Sequence, residues 1–431
     1  MVKVATIKLW GIKVGAVVWD ESRMLGTIEF EPSFTKHGLD IAPVTMPLAD
    51  IAVGNRIFSF PGLSRETFSG LPGLLADSLP DRFGNALLDK WLAEQGRTKQ
   101  SVNPVERLCY TGSRGMGALE YEPAMSLITK SSDNRIEVER LVELARLVLQ
   151  EKAGLKGEIA DNKIKGLNDI IKVGTSAGGA RAKAVIAYNE TTGEMRSGQV
   201  DASEGFTYWL IKFDGVSNTQ LGDPEGYGRI EFAYYLMAKD CGIEMAECRL
   251  LEDSGRAHFM TRRFDRSETG ERYHMQTLCG IAHMDYNDSL SYAYEDAFEV
   301  MRILRLPYPD AEQMFRRMVF NVLARNQDDH TKNISFLMNK SGNWKLAPAY
   351  DVTYAYNPES RWVFQHQMSV NGKRQDISND DLAKVAHNMN IKKYADVIDE
   401  VTNTVFNWKK YATNTGVDLK QADTIYKTFV I

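Results

Sequence analysis

Cysteine is scarce in this 431-residue chain: Cys109, Cys241, Cys248 and Cys279 are the only four, and no two stand in a C-x-x-C spacing. That excludes a disulfide-stapled scaffold and a thiolate metal knuckle, and it reads as a reduced, cytoplasmic set of thiols. Long apolar runs are missing too, with nothing approaching the ~18 residues a membrane span needs. The stretch from Met1 to Asp20 alternates Val4, Thr6, Lys8 and Trp10 instead of following the charged-then-apolar order of a signal peptide. There is no excess of positive charge either: Lys plus Arg number 52 against 57 Asp plus Glu, for a formal net charge of −5. A primary nucleic-acid binder needs cationic side chains to displace phosphate counterions, so that role does not fall to the chain as a whole, although a local basic face stays open. What is present, 43% hydrophobic and 25% charged residues without repeats, is the make-up of a globular protein. At ~150 residues per domain the length allows two or three domains.

Residues 1 to about 60 alternate with period two (KVATIKLWGIKVGAVVWDE, then LGTIEFEPSF), which predicts antiparallel strands. An amphipathic helix follows, with Phe83, Leu87, Leu88 and Trp91 at helical spacing and Gly96 near its end. The Gly-rich GSRGMGALEYEP at 112–123 closes this first stretch, SSDNR at 131–135 reads as a linker, and IEVERLVELARLVLQEKAG (136–154) reads as an amphipathic helix. The pattern then returns to strands: IKVGTSAGGARAKAVIAYNE as strand, Gly-rich loop and strand, then TYWLIKFD (207–214), and after the helix RIEFAYYLMAKDCGIE the strand AHFMTRRFD. Beyond residue 275 the chain is mostly helical. In DAEQMFRRMVFNVLARN the residues Phe315, Met318, Val319, Val322 and Leu323 follow the i, i+3, i+4, i+7, i+8 rule.

The segment ARNQDDHTKNISFL (324–337), followed by WKLAPAYDVTYAYNP (344–358), carries the most chemistry. A polar cluster between an apolar helix and an apolar strand is costly unless it binds something. Asp328 and Asn333 form D-x-x-x-x-N, and Asp351 comes 18 residues after Asn333. Kinases divide labour in this way: one Asp orients or deprotonates the acceptor hydroxyl, while the Asn and a second Asp hold Mg2+ on the phosphates. Hard oxygen ligands suit Mg2+. The plain alternative is a polar turn whose Asp and Asn side chains satisfy loop backbone.

The loop Gly174 to Lys183 (GTSAGGARAK) could bring backbone N–H groups close to phosphate oxygens, with Thr175 and Ser176 adding hydroxyls, or could be a hairpin turn. It is not a Walker A loop, since no G-K-[ST] opens a helix. Lys212, between Ile211 and Phe213, must send its ammonium either to the surface or to nucleotide phosphates, with Glu231 as a candidate partner. Asp328, Asp329 and His330 are consecutive, and three adjacent residues rarely wrap one metal ion. His330 is better read as bracing the loop. A serine hydrolase is disfavoured because G-x-S-x-G is missing.

Taken in order, GLLADSLPDRFG (73–84), GSRGMGALEYEP (112–123), SAGGARAK (176–183), RRFDR (262–266), HMQ (274–276), NQDDHTKN (326–333) and AYDV (349–352) resemble the signature stretches of the HipA family. These are serine/threonine kinases that act as toxins of bacterial type II toxin–antitoxin modules. The resemblance implies an α+β, bilobal protein-kinase-like fold. Residues 1–125 would form an N-terminal mixed subdomain, 135–270 a strand-rich N-lobe with the phosphate loop, and 271–431 an all-helical C-lobe with the catalytic loop. It implies Asp328 as the catalytic residue and Asn333 and Asp351 as Mg2+ ligands. Lys212, Lys183 and the backbone of Ala177, Gly178 and Gly179 would contact ATP phosphates. Main chain near Arg263 and Phe264 would meet the adenine, and Gln276 and His330 would line the site. Ser176 falls where family members autophosphorylate and switch themselves off. The sequence departs from some relatives in GGARAK, in Arg262 and in the apolar LCGIA after HMQ.

The implied biology is growth arrest through phosphorylation of a translation component such as an aminoacyl-tRNA synthetase. A HipB-like helix-turn-helix antitoxin would oppose it and supply the contacts to operator DNA, with no membrane involved. Two other classes stay open on the residues alone: a pseudokinase or co-repressor acting only through a DNA-binding partner, and a small-molecule kinase.

Overall fold

The period-two N-terminus becomes strand β1 (Val4–Leu9), in which Ala5, Ile7 and Leu9 are buried while Thr6 and Lys8 face outward. It pairs antiparallel with β2 (Ile12–Asp20), which pairs with β3 (Leu25–Phe30) and, through it, with the short edge strand β4 (Ile57–Phe58). On its other side β1 pairs with β5 (Leu119–Glu122), giving the order β4-β3-β2-β1-β5. Gly15 on β2 is required by close approach: a Cβ there would lie 2.1 Å from the Glu29 carbonyl oxygen.

The computed structural model describes residues 2–125, 141, 182–198, 205–216, 226–267 and 270–431. The linker at 131–135, the helix expected at 136–154 apart from Leu141, and the Gly-rich loop with Ser176, Ala177, Gly178 and Gly179 lie outside the described residues. The chain divides into two compact units: Met1–Leu39, Leu48–Gly228 and Arg249–Met275 make the first, and Asp40–Pro47, Arg229–Cys248 and Gln276–Ile431 the second. The stretches 1–125 and 135–270 thus share one unit for most of their described length.

A second antiparallel sheet in the first unit runs β7-β6-β8-β10-β9, from β6 (Lys183–Tyr188), β7 (Met195–Ser197), β8 (Thr207–Lys212), β9 (Cys248–Asp253) and β10 (Arg256–Arg262). The helix Arg82–Glu94 shares a core with it: Phe83, Leu87, Leu88 and Leu92 join Trp209, Ile211 and Met260. Asp81 starts that helix by accepting the Gly84 N–H at 2.6 Å.

Residues 271–431 are predominantly and not, as expected, wholly helical, because the apolar run after the polar loop pairs as a strand: β12 (Ser335–Met338) lies between β11 (His274–Thr277), of which Gln276 and Thr277 belong to the second unit, and β13 (Trp344–Leu346). The unit's central helix, Tyr308–Leu323, buries Met314, Phe315, Met318, Val319, Val322 and Leu323. Tyr234 sets its ring edge-on to Phe320 at 6.0 Å and Trp408 at 5.2 Å, and donates its hydroxyl to the Ala324 carbonyl at 2.6 Å. That bond satisfies one of the carbonyls left over where the helix ends. Arg325 then turns the chain sharply, with φ at 56°. No helix among the described residues is long and apolar enough to cross a membrane.

The helix Asn379–Met389 opens with a capping box in which Asp381 accepts from the Ser378 N–H (2.9 Å) and hydroxyl (2.7 Å), Lys373 Nζ (2.8 Å) and Asn371 Nδ2 (2.8 Å). The Lys373 bond, followed by the Ser378 bonds, holds this carboxyl well below the usual carboxylate range. Its stabilisation is therefore present above the unfolded value of ~4 and is lost as pH falls toward the folded value. Asp381→Asn should lower stability by about 1–2 kcal/mol at pH 7. In denaturant titrations its deficit against the parent should shrink between pH 5 and pH 3; a deficit constant across that range would contradict the assignment.

Candidate active site

The polar loop is built by the way the central helix stops. After Arg325 the chain pairs with a distant segment: the Gln327 N–H donates to the Ala355 carbonyl (3.1 Å) and the Ala355 N–H to the Arg325 carbonyl (3.0 Å). These bonds tie the loop to the residues just after Asp351. Thr331–Asn333 then form a single 3₁₀ turn. Asn333 folds back so that its Nδ2 donates to the Asp328 carbonyl at 2.8 Å. With the amide nitrogen so engaged, Asn333 Oδ1 is left as an acceptor on the opposite side. The Asp328 carboxylate is half-exposed, and its Oδ1 lies 3.9 Å from His330 Nε2. His330 stands beside the ring of Tyr286, with centroids 5.5 Å apart.

Asp351 has a left-handed backbone, φ 56°, uncommon for a residue with a side chain. Its neighbour Tyr350 anchors the turn by donating to the Lys332 carbonyl at 2.6 Å, and shares a short hydrogen bond with Ser335. One pocket is lined by Asn333, Asp351, His330 and Asp329, together with Asn326 and Arg317. Burial pushes the Arg317 guanidinium down to about 10, and it donates to the Ala347 carbonyl at 2.8 Å. Asn333 and Asp351 both line this pocket, and an amide oxygen with a carboxylate is a hard donor set that would suit Mg2+ completed by water and phosphate. Among the described residues, no three His, Cys, Asp or Glu side chains gather as a metal cluster.

The consecutive pair Asp328 and Asp329 points two ways. Asp329 is buried and accepts three hydrogen bonds, from the Tyr294 hydroxyl, His366 Nδ1 and the Gln367 N–H, each at 2.8 Å. Burial and the facing Asp329 charge raise the Tyr294 phenol well above its ordinary value, so it stays a donor. Tyr294, His366 and Gln367 escaped the sequence reading. The one signal for them was the doubled Asp, since two adjacent carboxylates in a tight loop cannot share one environment.

The remaining expected site residues are spread over both units. Lys212, on β8 in the first unit, sits directly across from Lys183 on β6 and Phe259 on β10, its ammonium 5.8 Å from the Phe259 ring centroid. Lys183 is buried with its ammonium 3.8 Å from Asp81 Oδ2. Glu231 is buried in the second unit. Gln276, 1% exposed on β11, has no hydrogen-bond partner for either amide atom among the described residues. Arg263 is committed to structure: its guanidinium bonds both oxygens of Asp265 at 2.9 and 2.6 Å and the Gly115 carbonyl at 3.2 Å, while its own N–H goes to Tyr208. Asp265 also accepts the Gly117 N–H at 2.8 Å, so the glycine-rich 112–117 loop is pinned to this pair. Burial alone would raise the Asp265 carboxyl, but Arg263 outweighs it and holds the group below its ordinary value.

The strand-rich unit, the helical unit and the D-x-x-x-x-N loop between helix and hairpin define a protein-kinase-like fold. The solved complex of HipA, HipB and operator DNA from Shewanella oneidensis contains a chain that superposes with a TM-score of 0.66 at 18% identity, over 98% of this chain and 95% of that one. Residues 5–122 match the HipA N-terminal domain and residues 175–408 the HipA-like C-terminal domain, and this chain belongs to the HipA family. The serine/threonine-protein kinase toxin HipA of Shewanella oneidensis is 21% identical over 366 residues, covering 80% of this chain and 73% of that protein. A Sinorhizobium fredii protein with a provisional kinase name is 28% identical over 131 residues, 28% of this chain and 31% of the relative's length. A similarly named Haemophilus influenzae protein is 27% identical over 135 residues, again 28% of this chain and 39% of the relative's length.

Removing Asp265 would leave Arg263 buried and uncompensated. Asp265→Ala should therefore lower the unfolding free energy of the first unit by about 3–5 kcal/mol. Replacing both partners with apolar residues of similar volume should restore most of that loss; an Asp265→Ala cost under about 1 kcal/mol would contradict the role given to the pair.

Proposed function

We propose that this chain is a serine/threonine protein kinase, using ATP and Mg2+, that works as a growth-arresting toxin. The observation that carries the proposal is the loop closed by the Asn333 amide on the Asp328 carbonyl, with Asp351 lining the same pocket. Family membership supports it, as do the kinase names of relatives. In this reading the half-exposed Asp328 carboxylate orients the acceptor hydroxyl and takes its proton. Asn333 and Asp351 would hold Mg2+, which would supply neutralisation of phosphate charge. We assign the phosphate contacts to Lys212, Lys183 and the backbone of Ala177, Gly178 and Gly179. The main chain at Arg263 and Phe264, with Gln276 and His330, faces the nucleotide. The Arg263 side chain takes no part, being tied to Asp265. The protein's task is mostly placement and charge stabilisation, since phosphoryl transfer asks little covalent chemistry of it.

The partners proposed are a HipB-like helix-turn-helix antitoxin, operator DNA reached mainly through it, and a protein substrate such as an aminoacyl-tRNA synthetase. The complex solved for the Shewanella oneidensis relative supports the first two. Cytoplasmic residence and inactivating autophosphorylation at Ser176 complete the proposal. A co-repressor without catalysis and a small-molecule kinase are the readings it displaces.

With radiolabelled ATP and purified protein, Asp328→Asn should lower phosphate transfer by ~100-fold or more while nucleotide affinity stays within about threefold. Asp351→Ala should lose the Mg2+-dependent part of nucleotide binding in calorimetry. Full transfer by Asp328→Asn would remove the catalytic assignment, and unchanged metal dependence in Asp351→Ala the ligand assignment.

A further inference from the structure

We infer that Asp329 is a positioning residue, the joint that ties the catalytic loop to the segment His366–Arg374 and thereby fixes the direction of Asp328. The inference deepens the kinase reading and, for its catalytic consequence, rests on it. Asp328 has 48% of its side chain exposed and Asp329 only 1%, so the backbone between them is set by where the second carboxylate is anchored. Three donors converge on it from two separate segments: Tyr294 from the helix Tyr294–Ile303, and the adjacent His366 and Gln367 from the stretch beyond Asp351.

From Tyr294 the chain of bonds runs back to the loop's entrance. Asn321 Nδ2 donates to the Tyr294 hydroxyl at 2.9 Å, and Asn326 Nδ2 donates to Asn321 Oδ1 at 2.9 Å. From Gln367 it runs outward. The Gln367 side chain donates to the Trp362 carbonyl, and Arg374 donates to the Gln367 and Tyr292 carbonyls. Trp362, 40% exposed with Arg361 stacked at 4.8 Å, is the solvent-facing end of this stretch. A carboxylate accepts at two oxygens and donates nothing, which is what three converging donors require. Asparagine keeps the shape and one acceptor oxygen, and the His366 ring can change tautomer to meet its NH2 group. Alanine keeps neither.

The full chain carrying Asp329→Ala or Asp329→Asn should be compared with the parent by amide hydrogen exchange and by steady-state phosphate transfer. Asp329→Ala should lose protection at 326–333 and at 366–374 together, lower kcat by about 100-fold and leave the KM for ATP within about threefold. Asp329→Asn should regain at least tenfold in kcat and most of the protection. Unchanged exchange in both segments, or a kcat within threefold of the parent in the alanine variant, would overturn the inference. Should Asp329→Ala not fold, Tyr294→Phe and His366→Ala each remove one donor and should open the same two segments; protection kept in both variants would overturn it equally. A parent that transfers no phosphate contradicts the kinase reading alone, because exchange still decides whether Asp329 is the joint.

Discussion

Burying polar groups at the end of an apolar helix is costly unless they are answered nearby, and the loop Asn326–Asn333 answers most of its own within its unit, with Asn326 Oδ1 and His330 Nδ1 buried without a hydrogen-bond partner among the described residues. Asn333 answers the Asp328 carbonyl, Tyr294, His366 and Gln367 answer Asp329, and the Ala355 main chain answers the Arg325 carbonyl and the Gln327 N–H. The reward for this closure is that one carboxylate, on Asp328, can be left half-exposed without the loop collapsing around it. A loop merely tolerated by the fold would turn both carboxylates to water; here only one is.

The first unit solves a related problem with charge. Arg263 and Asp265 are almost fully buried, a combination that costs heavily in desolvation unless both ions are paired and hydrogen-bonded. Their geometry is bidentate, and the leftover bonding capacity is spent on Gly115 and Gly117. The pair thereby fixes a glycine-rich loop roughly 150 residues earlier in the chain. Lys183 and Asp81 make a second buried approach of opposite charges, at 3.8 Å. The Arg263–Asp265 pair lies inside a stretch that the HipA resemblance singled out, so a family signature can mark structure as readily as chemistry.

Local periodicity carried most of the secondary structure. The period-two run at the N-terminus is β1 to β3, the stripe from Phe315 to Leu323 is the buried face of the central helix, and the Ser-Phe-Leu run is β12. Asn333 reaches the Asp328 carbonyl five residues back, and Asn333 and Asp351, joined by one hairpin, line one pocket, both local arrangements that spacing can foreshadow. What periodicity could not carry were pairings across long separations: His366 to Asp329, Arg263 to Gly115, Lys183 to Asp81. Nor could it tell that Arg229–Cys248, flanked by strands of the first unit, belongs with the helical unit, since an amphipathic stripe says that a face is buried but not against what.

The kinase reading therefore rests on one arrangement, Asn333 and Asp351 lining one pocket while Asp328, in the same loop as Asn333, keeps a half-exposed carboxylate. The most direct measurement is a crystal structure with a non-hydrolysable ATP analogue and Mn2+, read by anomalous scattering. The account predicts manganese bound by Asn333 Oδ1 and Asp351, with Asp328 facing the terminal phosphate. Manganese and phosphates bound away from these three side chains, or a saturated crystal with neither present, would contradict it.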